Sequence, residues 1–256
     1  GRDNTMTLNG KWRYIVDVQE EGFYDYRMNE TPWGFFQDAH QRTPLDLVEY
    51  NFDTSDQINI PGDWNTQDER LFFYEGTVWM RKLFDYQPEA DKRAILYFGA
   101  VNYEAIVYVN GKKMGRHIGG FTAFNYDVTD VLHPGQNNVI VKVDNKRHSE
   151  GIPTNIFDWW NYGGITRDVL LTKVPTTYVS DYFLQLDKKN WQHLEGWIQL
   201  NDNREGVNLE VSIPELKVRQ TVTTDANGRA MLSIKAKPVL WCPENPKQYD
   251  VQIING

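Results

Sequence analysis

Asp158-Trp159-Trp160-Asn161-Tyr162 brings a carboxylate, two indoles, an amide and a phenol into five consecutive positions. A carboxylate accepts hydrogen bonds from two neighbouring hydroxyls at once. An indole face packs on the C–H surface of a sugar ring and carries one N–H donor at its edge. On an extended segment successive side chains point to opposite sides, so only one of Trp159 and Trp160 can face a ligand. Either indole could instead fill a core. Asn161 and Tyr162 could add polar contacts or belong to a buried loop network, and Asp158 could be a solvated loop acid or a turn cap.

Other chemistry is sparse. The chain has no HExxH and no GxSxG. Gly111, Gly115, Gly119 and Gly120 lack the Lys-Ser/Thr ending of a phosphate loop and follow a hairpin signal instead of opening a helix. The five histidines show no ligand spacing, and Cys242, the one cysteine, can make neither an intrachain disulfide nor a Cys-based zinc site. Neither a metal nor a cofactor is expected. Glycoside hydrolysis needs paired carboxylates about 5–9.5 Å apart. Asn29-Glu30 invites that reading, but Thr31-Pro32 follows and no buried strand precedes it, so Glu30 reads as a solvated loop acid. Glu244 sits in a Pro-flanked turn. Asn29-Glu30-Thr31 is also a glycosylation-type sequon.

The elements that must carry these residues are strands. Ala105, Val107 and Val109 alternate with Ile106 and Tyr108 before Asn110-Gly111, a strong hairpin signal. Val139, Val141 and Val143 alternate with Ile140 and Lys142, and Val207, Leu209, Val211 and Ile213 with polar residues. Leu232, Ile234 and Ala236 alternate with Met231, Ser233 and Lys235 after a turn at Asn227-Gly228. Each run presents one apolar face, as a half-buried antiparallel strand requires. No segment repeats apolar residues at helical spacing over three turns, and residues 34–50 hold either a short helix or an irregular loop. The pattern predicts β-sandwiches.

The chain has 256 residues, 40% hydrophobic and 24% charged, with a net charge of −8. That length suits about two domains. Its 12 Phe, 14 Tyr and 9 Trp exclude disorder as the main state. An acidic, aromatic-rich surface favours neutral or sugar-like ligands and disfavours nucleic acid, whose phosphates it repels. The longest tight apolar run, Ala94 to Val101, is too short for a membrane helix, so no membrane span is expected. Gly1 reads as a processed or trimmed start, so the lack of a leader is uninformative. A domain boundary is expected near Pro175-Thr176-Thr177, giving domains 1–176 and 177–256. The second is short for a sandwich, its last strand running from Tyr249 to Ile254, and reads as cut at its C-terminal edge.

Several segments occur together in order: Leu8-Asn9-Gly10-Lys11-Trp12, Ile60-Pro61-Gly62-Asp63-Trp64-Asn65, Tyr74 to Arg81, Leu96 to Val101, Val107 to Gly111, His117 to Phe124, Asp158 to Arg167 and Trp241 to Pro246. In this order the chain resembles the N-terminal half of family 2 glycoside hydrolases, of the β-glucuronidase and β-galactosidase type. The resemblance implies an all-β layout: a galactose-binding-like jelly roll, then an immunoglobulin-like sandwich, then a TIM barrel with two catalytic glutamates. A barrel takes about 250 residues, so there is no room for one here. The resemblance therefore implies no catalytic residue in this chain and no turnover by it alone. Its expected partners are a terminal β-linked sugar, the barrel of the same natural chain and further copies in a homo-oligomer. Periplasmic or exported bacterial origin is the compartment the family suggests. Asp158 is expected to reach into the barrel's pocket and bond the terminal sugar, with Trp159, Trp160, Asn161 and Tyr162 beside it. Tyr74 and Glu75 lie where the family sometimes reaches toward the active site. Arg167 is expected to be a structural clamp, His117 and Gly119-Gly120 scaffold, Trp64 and Trp79 core, and Gly163-Gly164 a backbone requirement. The Asn-Tyr-Gly-Gly-Ile run leans toward β-glucuronidase. A free-standing carbohydrate-binding module or lectin is the alternative.

Overall fold

The computed structural model describes residues 4–25, 27–30, 43–45, 51–152 and 154–255. Most of 34–50, where a helix or loop is expected, and Thr31-Pro32 lie outside the described residues. The chain divides into two compact units, Gly1–Val174 and Pro175–Gly256. Among the described residues the regular elements are strands and single 3-10 turns. No helix among the described residues is long and apolar enough to cross a membrane.

The strands of the first unit are β1 (Thr5–Thr7), β2 (Gly10–Asp17), β3 (Gln57–Ile60), β4 (Gly62–Asp63) and β5 (Thr77–Tyr86). They continue with β6 (Lys92–Phe98), β7 (Val101–Asn102), β8 (Glu104–Val109), β9 (Lys112–Ile118) and β10 (Phe124–Asp127). Last come β11 (Gly135–Asp144), β12 (Gly164–Ile165) and β13 (Val169–Pro175). They form a jelly-roll sandwich: a four-stranded sheet β1-β13-β6-β10 and a six-stranded sheet β3-β2-β5-β11-β8-β9. A short sheet, β4-β12-β7, joins the segments that hold the candidate site. Asn110 and Gly111 both have positive φ, 48° and 80°, as a type I′ turn between β8 and β9 demands.

Between the sheets lies a core of Trp12, Trp64, Met80, Phe98, Val107, Val141, Ile165 and Leu171. The expectation of half-buried strands fails at the centre of the six-stranded sheet. Ile106 and Tyr108, which alternate with the core-facing residues of β8, are buried too. They join Ile15, Trp79, Phe23 and Phe52 in a second core on the sheet's outer side. Phe23 and Phe52 come from the chain between β2 and β3, and their rings cover that face. Each contributes about 1.5–3 kcal/mol by burial.

Asp17 and Lys142 inside this cover are paired, whereas the buried Tyr108 hydroxyl has no hydrogen-bond partner among the described residues. Asp17, 1% exposed, accepts from Trp79 Nε1 at 2.9 Å and from the backbone N–H of Gly22 at 2.9 Å. Lys142 Nζ donates to Glu20 Oε1 at 3.0 Å and lies 4.6 Å from the Phe23 ring centroid. Partial burial raises the Glu20 carboxyl, but Lys142 and Lys146 outweigh it and hold the group below its ordinary 4.5. Burial pushes the Tyr108 hydroxyl up to about 12.

The second unit contains β14 (Val179–Leu186), β15 (His193–Leu200), β16 (Asn208–Ile213), β17 (Val218–Thr223), β18 (Arg229–Lys235) and β19 (Gln252–Asn255). Two three-stranded sheets, β14-β15-β18 and β17-β16-β19, enclose a core that includes Ile198, Leu209, Val211 and Leu232. The turn at Asn227-Gly228 carries the chain from one sheet to the other, since β17 and β18 belong to different ladders. The last strand begins at Gln252 instead of the expected Tyr249.

Candidate functional site

Residues 145–163 connect β11 to β12 and carry Asp158 to Tyr162. No regular ladder holds this long loop, and buried amides do so instead. Asn145, fully buried, donates from Nδ2 to the Asn161 carbonyl at 2.9 Å and accepts at Oδ1 from the Gly76 N–H at 2.8 Å. Asn161 Nδ2 donates back to the Asn145 carbonyl. Asn102 Nδ2 donates to Asn161 Oδ1 at 3.2 Å and to the Tyr162 carbonyl. Asn65 Oδ1 accepts from the Gly163 N–H at 2.9 Å, while its Nδ2 donates to the Leu71 carbonyl at 2.9 Å. A side-chain amide both donates and accepts, so asparagine can copy a missing backbone ladder inside a dry loop.

Arg147 completes the fixation. Its Nη1 donates to the Phe157 carbonyl at 2.8 Å and its Nη2 to the Trp159 carbonyl at 3.2 Å. Its Nε donates to Glu75 Oε1 at 3.1 Å. The two carbonyls held by one guanidinium flank Asp158. The Asp158 side chain is exposed and has no hydrogen-bond or ion-pair partner among the described residues, so it caps no turn there.

Its neighbours Phe157 and Trp159, but not Asp158 itself, border a cleft of about 500 Å³ together with Phe121, Ile152, Trp160 and Tyr162, with Asp63, Asn102 and Thr166 among its polar lining. Its lining includes no basic side chain among the described residues. The Asp63 carboxylate is engaged by the Thr66 N–H at 2.7 Å and hydroxyl at 3.0 Å.

Both indoles border this cleft, against the expectation that only one could face a ligand. The backbone bends at Trp159, so the alternation of an extended strand does not apply. Neither is core: Trp159 is 72% and Trp160 40% exposed. Trp160 packs on Phe72 and Phe73, with ring centroids 4.9 and 5.3 Å away. Tyr162 is half exposed, its ring 6.4 Å from Trp160. Asn161 is buried, and its amide is engaged by Asn145 and Asn102, so it belongs to the network that fixes the loop.

The structure relocates other expected roles. Arg167 is exposed and makes no ion pair among the described residues, so the clamp is Arg147, which no motif singled out. A partly buried arginine within a long loop gives no spacing signal, because its partners are backbone carbonyls. Glu75 pairs with Arg147 at 3.1 Å. Tyr74 donates its hydroxyl to the Thr77 carbonyl at 2.9 Å, and burial raises it above its ordinary 10.0. His117 stacks on Phe124 at 4.2 Å and pairs with Thr122 at 3.0 Å. Trp64 and Trp79 are fully buried, as expected. Glu30 pairs with Lys113 at 3.3 Å, and Glu244 lies in a turn closed between Cys242 and Asn245.

Residues 5–175, two thirds of the chain and the whole scaffold of this loop, match the family model described as glycosyl hydrolases family 2, sugar binding domain. The chain belongs to glycosyl hydrolase family 2. A putative β-glucuronidase of Formosa agariphila is 31% identical over 94% of this family 2 chain, which covers 31% of that protein. A β-galactosidase of Thermoanaerobacter pseudethanolicus is 28% identical over 99% of the chain, covering 33% of that protein. Among solved structures, a β-glucuronidase of an uncultured Clostridium species superposes with a TM-score of 0.67 at 26% identity, over 98% of this chain and 42% of the other. A β-glucuronidase of Bifidobacterium dentium, complexed with coumarin-3-O-glucuronide, gives 0.71 at 20% identity over 100% and 48%. The family 2 chain thus spans about a third of the length of these curated relatives.

Proposed function

We propose that this chain is the non-catalytic N-terminal part of a β-glycosidase acting on terminal β-linked sugars, β-glucuronides or β-galactosides, and that it supplies one wall of the sugar pocket. Residues 1–176 form the sugar-binding jelly roll and 177–256 an immunoglobulin-like sandwich. A barrel of the same natural chain supplies the acid/base and the nucleophile. Asp158 accepts hydrogen bonds from two adjacent hydroxyls of the sugar, and Trp159, Trp160 and Tyr162 present aromatic faces to the ring or its leaving group.

The observation that carries this reading is the cleft bordered by the exposed rings of Trp159, Trp160 and Tyr162 next to Asp158, an exposed carboxylate with no partner among the described residues, on a loop held by Arg147. The names of the relatives, β-glucuronidases and β-galactosidases, support the substrate class.

Assaying the full natural chain and residues 1–256 side by side on chromogenic β-glucuronides and β-galactosides tests the proposal. Turnover is expected from the full chain and none from 1–256. Turnover by 1–256 would reveal an active site within it. A natural chain that binds neutral sugars and hydrolyses no glycoside would instead support a carbohydrate-binding module.

A further inference from the structure

We propose that Arg147, oriented by Glu75, is a positioning residue that sets the direction of the Asp158 carboxylate. This rests on the proposed role of Asp158 at the sugar. The guanidinium uses three edges on three partners: Nε on Glu75 at 3.1 Å, Nη1 on the Phe157 carbonyl at 2.8 Å and Nη2 on the Trp159 carbonyl at 3.2 Å.

The Phe157 carbonyl lies in the peptide that leads into Asp158 and the Trp159 carbonyl in the peptide one residue beyond it, so one rigid, planar group pins the backbone before Asp158 and again just after it. The side chains from Thr154 to Trp159 are exposed, and within 154–160 the ring packing on Phe72 and Phe73 comes from Trp160, two residues past Asp158. The Arg147 side chain is 21% exposed, and the Glu75 carboxylate, 37% exposed, balances its charge. Lysine at this position could meet Glu75 or one carbonyl but could not span both, because its ammonium is a compact point donor. A small misplacement of a group that contacts substrate is costly, so the clamp acts on rate without touching the sugar.

The test uses the full natural chain and compares Arg147→Ala, Arg147→Lys, Glu75→Gln, Asp158→Asn and the double variant Arg147→Ala/Asp158→Asn. Hydrogen exchange at residues 156–160 and kcat/KM on the preferred chromogenic glycoside are measured for each. Arg147→Ala is expected to speed exchange there about 10-fold and to lower kcat/KM about 10- to 100-fold with Tm unchanged. Arg147→Lys recovers part of the loss, and Glu75→Gln shows a smaller one. In the Asp158→Asn background the Arg147→Ala change has little further effect on rate.

Wild-type exchange in Arg147→Ala overturns the clamp whatever the activity. Multiplying losses in the double variant overturn its action through Asp158. A wild-type rate in Arg147→Ala beside a crippled Asp158→Asn overturns the clamp alone and leaves the sugar role standing. A wild-type rate in Asp158→Asn removes both.

Discussion

Asp158→Asn in the full natural chain is expected to lower kcat/KM about 100-fold and to leave Tm unchanged. A hydrogen bond to a charged group is worth about 1.5–3 kcal/mol, and about 1.4 kcal/mol is tenfold in rate. Asparagine keeps one carbonyl acceptor but replaces the other with a donor, which faces a sugar hydroxyl less well. Stability is spared because the carboxylate is exposed and has no partner among the described residues. Surface substitutions of that kind usually stay within about 0.5 kcal/mol. Kinetics on a chromogenic glycoside together with a melting curve separate the two effects. A near wild-type rate would remove Asp158 from the site, and a large fall in Tm would give it a structural role.

Gly163→Ala should be the most damaging small substitution near the site. A Cβ at Gly163 would lie 2.0 Å from Trp64 Cζ2 and 2.4 Å from Cη2. Trp64 is fully buried and cannot swing away. The backbone is tied on both sides as well: the Gly163 N–H donates to Asn65 Oδ1 at 2.9 Å, and its carbonyl accepts from the Trp64 N–H at 2.9 Å. Overpacking costs about 1–3 kcal/mol, and each weakened hydrogen bond adds about 1 kcal/mol. Roughly 4 kcal/mol on a unit of this size lowers Tm by about 10 °C. Because Gly163 follows Tyr162, the shift also displaces the loop, so kcat/KM falls too. Differential scanning calorimetry of the first unit's transition measures the cost. A change of a degree or two would mean that Trp64 is less tightly held than the packing indicates.

Much of this fold was legible from local pattern. Alternation in β8, β11, β16 and β18 located the strands, and Asn110-Gly111 located a turn, because period and turn chemistry act over a few residues. Long-range cover was not legible. Nothing within Ile106 and Tyr108 says that Phe23 and Phe52, far away in sequence, bury their face of the sheet. At the site, residue types marked 158–162 as aromatics beside an acid but left open whether the indoles fill a core; the structure exposes Trp159, Trp160 and Tyr162 and buries Asn161. The bend at Trp159 was missed, since it comes from the loop's anchoring and not from its own sequence. Arg147 was missed for the same reason, and Arg167 gained a clamp's role it does not perform, because an arginine's partners are set by tertiary structure.

A crystal structure of the full natural chain with a bound sugar or glycosidase inhibitor tests the central claim most directly. The account predicts the Asp158 carboxylate within hydrogen-bond distance, about 2.5–3.0 Å, of two adjacent sugar hydroxyls. It also predicts at least one of Trp159, Trp160 and Tyr162 against the ring or its leaving group. A sugar seated among catalytic carboxylates with Asp158 turned to solvent and the aromatic cleft empty would contradict it.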